Sequence, residues 1–160
     1  MISFVLNGEN VETASLPSSR LLDILREEFL LTGAKEGCGE GECGACSVLI
    51  DGKLANSCLI AVGSIEGKEV MTIEGFSETE RFRVLSDAFA EVGAVQCGFC
   101  IPGMVLASES LLSVCAKPTE EEIRIALSGN LCRCTGYELI VKAVQLASER
   151  GAGTVWTAGI

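Results

Sequence analysis

The sequence predicts an α+β protein in which a small sheet with one packed helix precedes four further helices. Three observations in the 160-residue chain support this fold class. Hairpin patterns occupy the first part of the chain, helical periodicity dominates the rest, and a polar, glycine-containing segment, 74–81, separates the two. We therefore expect two domains of different architecture, 1–75 and 82–150, with a linker at 76–81 and a tail at 151–160.

Two hairpins and one further strand account for the predicted sheet. The segment ISFVL is followed by Asn7-Gly8 and then ENVET, and SVLI is followed by Asp51-Gly52 and then KLANS. Both dipeptides suit a two-residue turn with positive φ at each position. The segment EVMTI at 69–73 predicts another short strand.

One helix is predicted between the two hairpins. Its apolar face is formed by Leu21, Leu22, Leu25 and Phe29. We expect Ser18 or Ser19 to cap the beginning of this helix, and Thr32-Gly33 to end it.

The second half of the chain predicts four helices. They cover FRVLSDAFAEVG, then MVLASESLLSVCAK after Pro102, then EEIRIALSG, and finally YELIVKAVQLASER. Proline suits the first helical position because an N–H group has no intrahelical partner there. Thr119 and Glu122 predict a capping box for the third of these helices. The tail leaves two alternatives: a disordered segment, or an arm that lies on a partner through Trp156.

Charge and hydropathy exclude several classes of function. The chain has 22 acidic and 12 basic residues, and its formal net charge of -10 argues against binding to nucleic acid. No apolar run approaches the roughly 20 residues that a membrane-spanning helix requires. The first residues lack the basic and apolar regions of a secretory signal. We therefore expect a cytoplasmic protein without a membrane span.

Histidine is absent from the sequence, whereas cysteine occurs nine times. The absence of histidine excludes Ser-His-Asp and Cys-His catalytic sites and a Cys2His2 zinc site. We predict no catalytic residue in this chain. In a reducing compartment, so many cysteines indicate metal ligands rather than disulfides.

The first cysteine set lies in KEGCGEGECGACSVLIDGKLANSC and has the spacing Cys38-x4-Cys43-x2-Cys46-x11-Cys58. This spacing is typical of a plant-type [2Fe–2S] centre, in which C-x4-C-x2-C is followed by a remote cysteine. Zinc and disulfides are the alternatives. Four glycines would let the loop curl around an anionic cluster and direct backbone N–H groups at its sulfurs. These are Gly37, Gly39, Gly41 and Gly44.

The second cysteine set consists of Cys97-x2-Cys100, in QCGFCIPG, and Cys132-x1-Cys134, in GNLCRCTGY. Each pair lies where one predicted helix ends or another begins, so the four thiols can meet at one end of a helical bundle. The spacing alone leaves open a second iron–sulfur cluster, a zinc site and a thioredoxin-like dithiol. The remaining cysteine, Cys115, is predicted to be a buried thiol on an apolar helical face.

The two sets in this order resemble the iron–sulfur subunit of the molybdenum hydroxylase family, which includes xanthine dehydrogenases, aldehyde oxidoreductases and related N-heterocycle hydroxylases. The resemblance rests on KEGCGEGECGACSVLIDGKLANSC, GAVQCGFCIPGM and LSGNLCRCTGY, and it extends over about residues 2–150. It implies a β-grasp, plant-type ferredoxin-like domain that holds one [2Fe–2S] cluster through Cys38, Cys43, Cys46 and Cys58. It also implies an all-α four-helix bundle domain that holds a second [2Fe–2S] cluster through Cys97, Cys100, Cys132 and Cys134.

The resemblance further implies a role in electron transfer within a hetero-oligomer. Electrons would pass from a molybdopterin-binding large subunit, through the helical-domain cluster and then the ferredoxin-type cluster, to an FAD-binding medium subunit. Gln96 and Cys134 would approach the molybdopterin of the partner subunit. The reaction served would be hydroxylation of a purine, an N-heterocycle or an aldehyde. A free-standing two-cluster ferredoxin-type electron carrier is the alternative, and copurification of molybdenum- and flavin-bearing chains would separate the two.

Overall fold

A five-stranded mixed sheet organises the first half of the chain in the computed structural model, which describes residues 1–159. Its strands are β1 (Ile2–Leu6), β2 (Glu9–Thr13), β3 (Ser47–Ile50), β4 (Lys53–Asn56) and β5 (Glu69–Met71). They lie in the order β2-β1-β5-β3-β4, with β1 and β5 parallel and the other neighbours antiparallel. Both predicted hairpins are confirmed, since positive φ angles occur at Asn7 and Gly8 and at Asp51 and Gly52.

Helices make up most of the second half. The α-helices of the described chain are α1 (Leu21–Asp23), α2 (Ile73–Phe76), α3 (Glu80–Glu91), α4 (Ile101–Leu112), α5 (Glu120–Leu127) and α6 (Glu138–Gly151). The predicted α+β class is therefore confirmed. Pro102 lies in the first turn of α4, and the predicted capping box of Thr119 and Glu122 is present in α5. Among residues 1–159, no helix is both long and apolar enough to cross a membrane.

The first helix is shorter than predicted. After α1 the chain continues as a π-helical segment, Ile24–Glu28, and reverses at Leu30, where φ is +58°. Arg26 explains this early end, because its guanidinium donates to the backbone oxygens of Thr32 and Ala34 and holds the reversed chain. The predicted serine cap is also wrong. No side chain caps this helix, and the N–H of its first residue, Leu21, donates to the Ile60 oxygen instead.

Buried apolar side chains form two clusters that share the sheet. Successive residues of a strand point to opposite faces, so Val48 contributes to the cluster around α1, whereas its neighbour Leu49 packs against the helices of the second half. The segment 76–81, predicted as a linker, begins with the buried Phe76, which packs edge-to-face on Phe82. The helical cluster is built mainly by α3 against α6 and by α4 against α5.

Backbone segments from the two halves meet at very close range. The buried Asn130 side chain donates through Nδ2 to the Gly44 oxygen at 3.1 Å and to Ser47 Oγ at 3.2 Å. A Cβ atom on Gly103, in the first turn of α4, would lie 2.5 Å from that same Gly44 oxygen. This contact therefore depends on glycine at position 103, where any side chain would push the first cysteine loop away from α4.

The tail is neither disordered nor an arm on a partner, the two alternatives that the sequence predicted, because its described residues pack on this chain itself. Trp156 is fully buried, and its Nε1–H donates to Glu109 Oε2 of α4 at 2.8 Å. Arg81 of α3 binds the other carboxylate oxygen of Glu109 at 2.8 Å and also donates to the Val155 oxygen. The tail is thus fixed to two helices, while Ile160, the last residue of the predicted tail, lies outside the described residues.

Cys115 lies elsewhere than the sequence predicts. Helix α4 ends at Leu112, and Cys115 follows the turn at 113–114 as a half-buried residue outside any helix. The tail accounts for this end, because the N–H of the next residue, Ala116, donates to the Ala158 oxygen at 2.9 Å.

We expect Gly103→Ala to lower the free energy of unfolding by roughly 1–3 kcal/mol, the usual cost of overpacking a tight contact. The matched control is Gly129→Ala, because a Cβ there has no neighbour within 4 Å, and its effect should stay within about 0.5 kcal/mol. Chemical denaturation of the purified variants measures both values. Equal stability of the two variants would contradict the proposed role of the glycine contact.

We expect Trp156→Ala to destabilise the protein by about 3–5 kcal/mol, because a fully buried ring is removed. Trp156→Phe should cost about 1–3 kcal/mol, since the ring is retained but Glu109 loses a hydrogen-bond donor. Val114→Ala is the control at an exposed position and should be nearly neutral. A wild-type unfolding midpoint for Trp156→Ala would show that the tail is not part of the folded core.

Candidate metal centres

The first cysteine loop directs backbone N–H groups at a sulfur atom. Cys38 Sγ accepts from the N–H groups of Glu40 and Glu42, both at 3.3 Å, and from that of Cys43 at 3.4 Å. These hydrogen bonds lower the pKa of the Cys38 thiol to about 7. The loop backbone by itself therefore stabilises negative charge on the Cys38 sulfur.

Glycine serves this loop in two ways. Gly41 has a φ of +77°, a conformation that residues other than glycine rarely adopt. It lies between Glu40 and Glu42, whose backbone N–H groups both face Cys38 Sγ. Gly37 has no such φ, but a Cβ on it would lie 2.8 Å from Cys43 Sγ. Of the four predicted glycines, three have positive φ (Gly39, Gly41 and Gly44), and Gly37 serves by close approach.

The four cysteines of the first set come together as two pairs. Cys38 and Cys43 form the half-buried pair, in which the Cys43 N–H lies 3.4 Å from Cys38 Sγ and the Cys43 side chain helps to lower the pKa of the Cys38 thiol. Cys46 and Cys58, which are 2% and 4% exposed, form the second, buried pair. Burial raises the pKa of the Cys46 thiol to about 11, so this sulfur needs a metal or another positive charge to ionise at neutral pH.

The second set is also arranged as two pairs. Cys97 Sγ and Cys134 Sγ are 3.5 Å apart, and both residues are exposed. Cys100 and Cys132 are half-buried and form the other pair, in which each side chain contributes to the pKa shift of the other thiol. Two loops supply these residues. Cys97 and Cys100 precede α4, and the other two lie between α5 and α6.

Pairing favours a two-iron centre over a single metal ion. Within residues 1–159, no three His, Cys, Asp or Glu side chains converge on a point where they could hold one metal ion. A mononuclear zinc site requires four ligands around one point, whereas in a [2Fe–2S] cluster each of the two irons takes two ligands. Two thiol pairs in each set fit the two-iron arrangement.

Sequence reasoning missed two residues that surround Cys132. Thr135 Oγ1 lies 3.1 Å from Cys132 Sγ, and the Tyr137 hydroxyl accepts a hydrogen bond from the Cys132 N–H at 2.9 Å. Burial opposes ionisation of Cys132, but hydrogen bonds from Thr135 and from the Cys134 backbone outweigh it and lower the pKa of this thiol. Two hydroxyl side chains close behind a cysteine pair, in CRCTGY, were the available sequence signal.

The predicted cofactor-contacting residues lie on the surface. Gln96 is exposed and directly precedes Cys97. Apolar side chains close in sequence to the cysteines of the second set are also exposed: Val95, Phe99 and Leu131, at 47%, 47% and 57%. The exposed pair of the second set therefore opens onto a surface with substantial apolar area.

Sequence comparison matches both halves of the chain to known families. The family described as "2Fe-2S iron-sulfur cluster binding domain" matches residues 4–70, and the one described as "[2Fe-2S] binding domain" matches residues 72–145. The nicotinate dehydrogenase small FeS subunit of Eubacterium barkeri is 49% identical over 151 residues, which cover 94% of this chain and 96% of the relative.

Solved structures agree with the sequence comparison. Quinoline 2-oxidoreductase from Pseudomonas putida 86 contains a chain with a TM-score of 0.86 and 42% identity, and the match covers 94% of this chain and 96% of that one. The aldehyde oxidoreductase from Desulfovibrio desulfuricans matches with a TM-score of 0.89 and 36% identity, covering 96% of this chain but 17% of that longer chain. The protein therefore belongs to the iron–sulfur subunits of the molybdenum hydroxylase family and binds two [2Fe–2S] clusters.

Proposed function

We propose that this chain is the electron-transfer subunit of a molybdenum-containing hydroxylase complex, and that it relays electrons from a molybdopterin subunit to an FAD subunit. The observation that carries the proposal is the arrangement of eight cysteines as two sets of two pairs. A [2Fe–2S] cluster, when bound, exchanges single electrons. The chain itself supplies ligands, hydrogen bonds and a fixed spacing between the two sets.

Each cysteine set is assigned to one cluster. Cys38, Cys43, Cys46 and Cys58 would hold the ferredoxin-type cluster, and Cys97, Cys100, Cys132 and Cys134 would hold the helical-domain cluster. The pairing within each set suits this assignment, because the two members of a pair can share one iron. The backbone N–H groups around Cys38 would stabilise the anionic cluster in the same way that they stabilise the thiolate.

A direct contact between the two cysteine loops supports the relay. The Leu131 N–H donates to the Cys43 oxygen at 2.9 Å, and Leu131 is bonded to Cys132. The two predicted ligands, Cys43 and Cys132, are thereby joined through one backbone hydrogen bond. The described residues thus bring the two sets close enough for their loops to touch, as transfer from one cluster to the other requires.

The exposed pair of the second set suits contact with a molybdopterin subunit. We assign the surface of Gln96, Cys97 and Cys134 to the molybdopterin side, where the large subunit would cover Val95 and Phe99. The aldehyde oxidoreductase match supports a molybdopterin partner, because that relative is a much longer chain of which this protein matches 17%. The FAD-binding medium subunit is then the acceptor beyond the first set.

We further propose that the two halves are separate domains, a β-grasp domain at 1–75 and a four-helix bundle at 82–150. The two hydrophobic clusters support this division, although Leu49 of the sheet packs on the helical cluster. The complex would act in the cytoplasm on a purine, an N-heterocycle or an aldehyde. Nicotinate and quinoline in the names of two relatives favour an N-heterocycle.

We expect anaerobically purified protein to contain about four irons and four acid-labile sulfides per chain. Reduction should give two distinguishable EPR signals, because one cluster would lie in a glycine-rich loop beside a buried cysteine pair and the other beside an exposed pair. Metal and sulfide analysis measures the iron and sulfide content, and EPR of the reduced protein counts the clusters. Zinc, or a single EPR signal with half the iron, would contradict the assignment. Copurification without any molybdenum- or flavin-bearing chain would favour a free-standing carrier.

We expect Cys43→Ser to remove the ferredoxin-type cluster while leaving the helical-domain cluster intact. Substrate should then still reduce molybdenum and the remaining cluster, whereas flavin reduction should fall to the background rate. Cys115→Ser is the matched control, because this half-buried cysteine belongs to neither set, and it should keep the full iron content and the wild-type rate. Freeze-quench EPR of each complex after rapid mixing with substrate follows every centre.

Two outcomes of the Cys43→Ser experiment would contradict the proposal. A wild-type rate of flavin reduction in Cys43→Ser, with its cluster shown to be absent, would refute the serial relay. Loss of both clusters together would refute independent folding of the two domains.

A further inference from the structure

The hydroxyl group of Thr135 is positioned to donate a hydrogen bond to a predicted cluster ligand. Thr135 Oγ1 lies 3.1 Å from Cys132 Sγ and accepts a hydrogen bond from the Tyr137 N–H at 3.2 Å. Because this oxygen already accepts from Tyr137, its own hydrogen is directed elsewhere. A cysteine that ligates iron is a thiolate without a proton, so the hydroxyl must be the donor to sulfur.

A strained turn holds this hydroxyl in place. Gly136 and Tyr137 have φ angles of +65° and +70°, a left-handed conformation that bulky residues such as tyrosine rarely adopt. Two further hydrogen bonds fix Tyr137 in it. Its hydroxyl accepts from the Cys132 N–H at 2.9 Å, and its carbonyl oxygen accepts from Val141 in α6, also at 2.9 Å. The turn therefore ties α6 to the Cys132 loop and orients Thr135 between them.

The contact between Thr135 and Cys132 sets this ligand apart from the others. Across residues 1–159, Thr135 supplies the one side-chain hydroxyl within hydrogen-bonding distance of a cysteine sulfur. By contrast, Cys38 of the first set accepts from backbone N–H groups. Substitution of a side chain can therefore change a hydrogen bond to the second set without altering the first.

We propose that Thr135 is a positioning residue that raises the reduction potential of the helical-domain cluster, and that the turn at Tyr137 holds it for this purpose. The inference rests on the proposed function, in which Cys132 is a ligand of that cluster. Reduction adds negative charge to the cluster and its thiolates, so a donor to Cys132 Sγ stabilises the reduced form more than the oxidised form. The cluster that first receives electrons from molybdopterin thereby becomes a better acceptor.

The test is an EPR-monitored redox titration of the full chain with both clusters bound. Thr135→Val keeps the shape but removes the hydroxyl, and we expect about a tenfold lower equilibrium constant for one-electron reduction of the helical-domain cluster, a shift of about 59 mV to more negative potential. Thr135→Ser restores the hydroxyl and should restore the wild-type potential. Thr154→Val removes a distant hydroxyl, which bonds to the Gly151 oxygen, and should change neither cluster.

Three results would overturn the inference. They are equal potentials for Thr135→Val and Thr135→Ser, equal shifts of both clusters, and loss of the helical-domain cluster in Thr135→Val and Thr135→Ala but not in Thr135→Ser. The last result would make the hydroxyl a requirement for assembly rather than a determinant of potential. Failure of the proposed function would look different, because the wild-type chain itself would then lack the second EPR signal.

Discussion

The close approach of Gly44 and Gly103 is the constraint on which the arrangement of the two cysteine sets depends. Neither residue has a Cβ, so the first cysteine loop lies directly against the beginning of α4, and the buried Asn130 amide bonds to the Gly44 oxygen. The N–H of the adjacent Leu131 then reaches the Cys43 oxygen. Backbone contacts cannot adjust as flexible side chains do, and they therefore define the separation of the two sets.

The two cysteine sets occupy different environments. Cys46 and Cys58 are buried between the sheet and α1, whereas Cys97 and Cys134 lie on the surface. A buried pair is shielded from water, which strengthens the electrostatic effect of nearby N–H groups on any charge held there. An exposed pair beside apolar side chains can instead be covered by a partner. Under the proposed function, this contrast in burial suits the first set to an internal position in the electron path and the second set to its beginning.

A buried carboxylate connects the tail to the helices. Glu109 is 5% exposed, and its oxygens accept from Arg81, Ser113 and Trp156. A buried charge is tolerated when it is paired and its remaining lone pairs are satisfied, and Glu109 meets both conditions. This network fastens the last described residues to α3 and α4. Removing one partner would leave a buried charge incompletely bonded, so the group is best understood as a structural unit.

Short-range patterns were sufficient to predict much of this protein. Asn7-Gly8 and Asp51-Gly52 determine their turns through local φ preferences. Thr119 and Glu122, three residues apart, form the capping box of α5. The spacing of the first cysteine set indicates the type of cluster. Each of these depends on neighbours in the sequence. The resemblance to a known family then extended the prediction to the second cysteine set and to its partners.

Only the tertiary structure decided features that depend on residues distant in sequence. The first helix ends early because Arg26 binds carbonyl groups of the returning chain, and the tail is ordered because Trp156 meets Glu109, 47 positions away. The pairing of the thiols and the contact of Thr135 with Cys132 likewise follow from folded loops. The sequence by itself predicted the cysteine ligands and determined most element positions, because these depend on neighbouring residues. Packing decided how the predicted ligands are paired, oriented and exposed, because those properties arise only when segments distant in sequence come together.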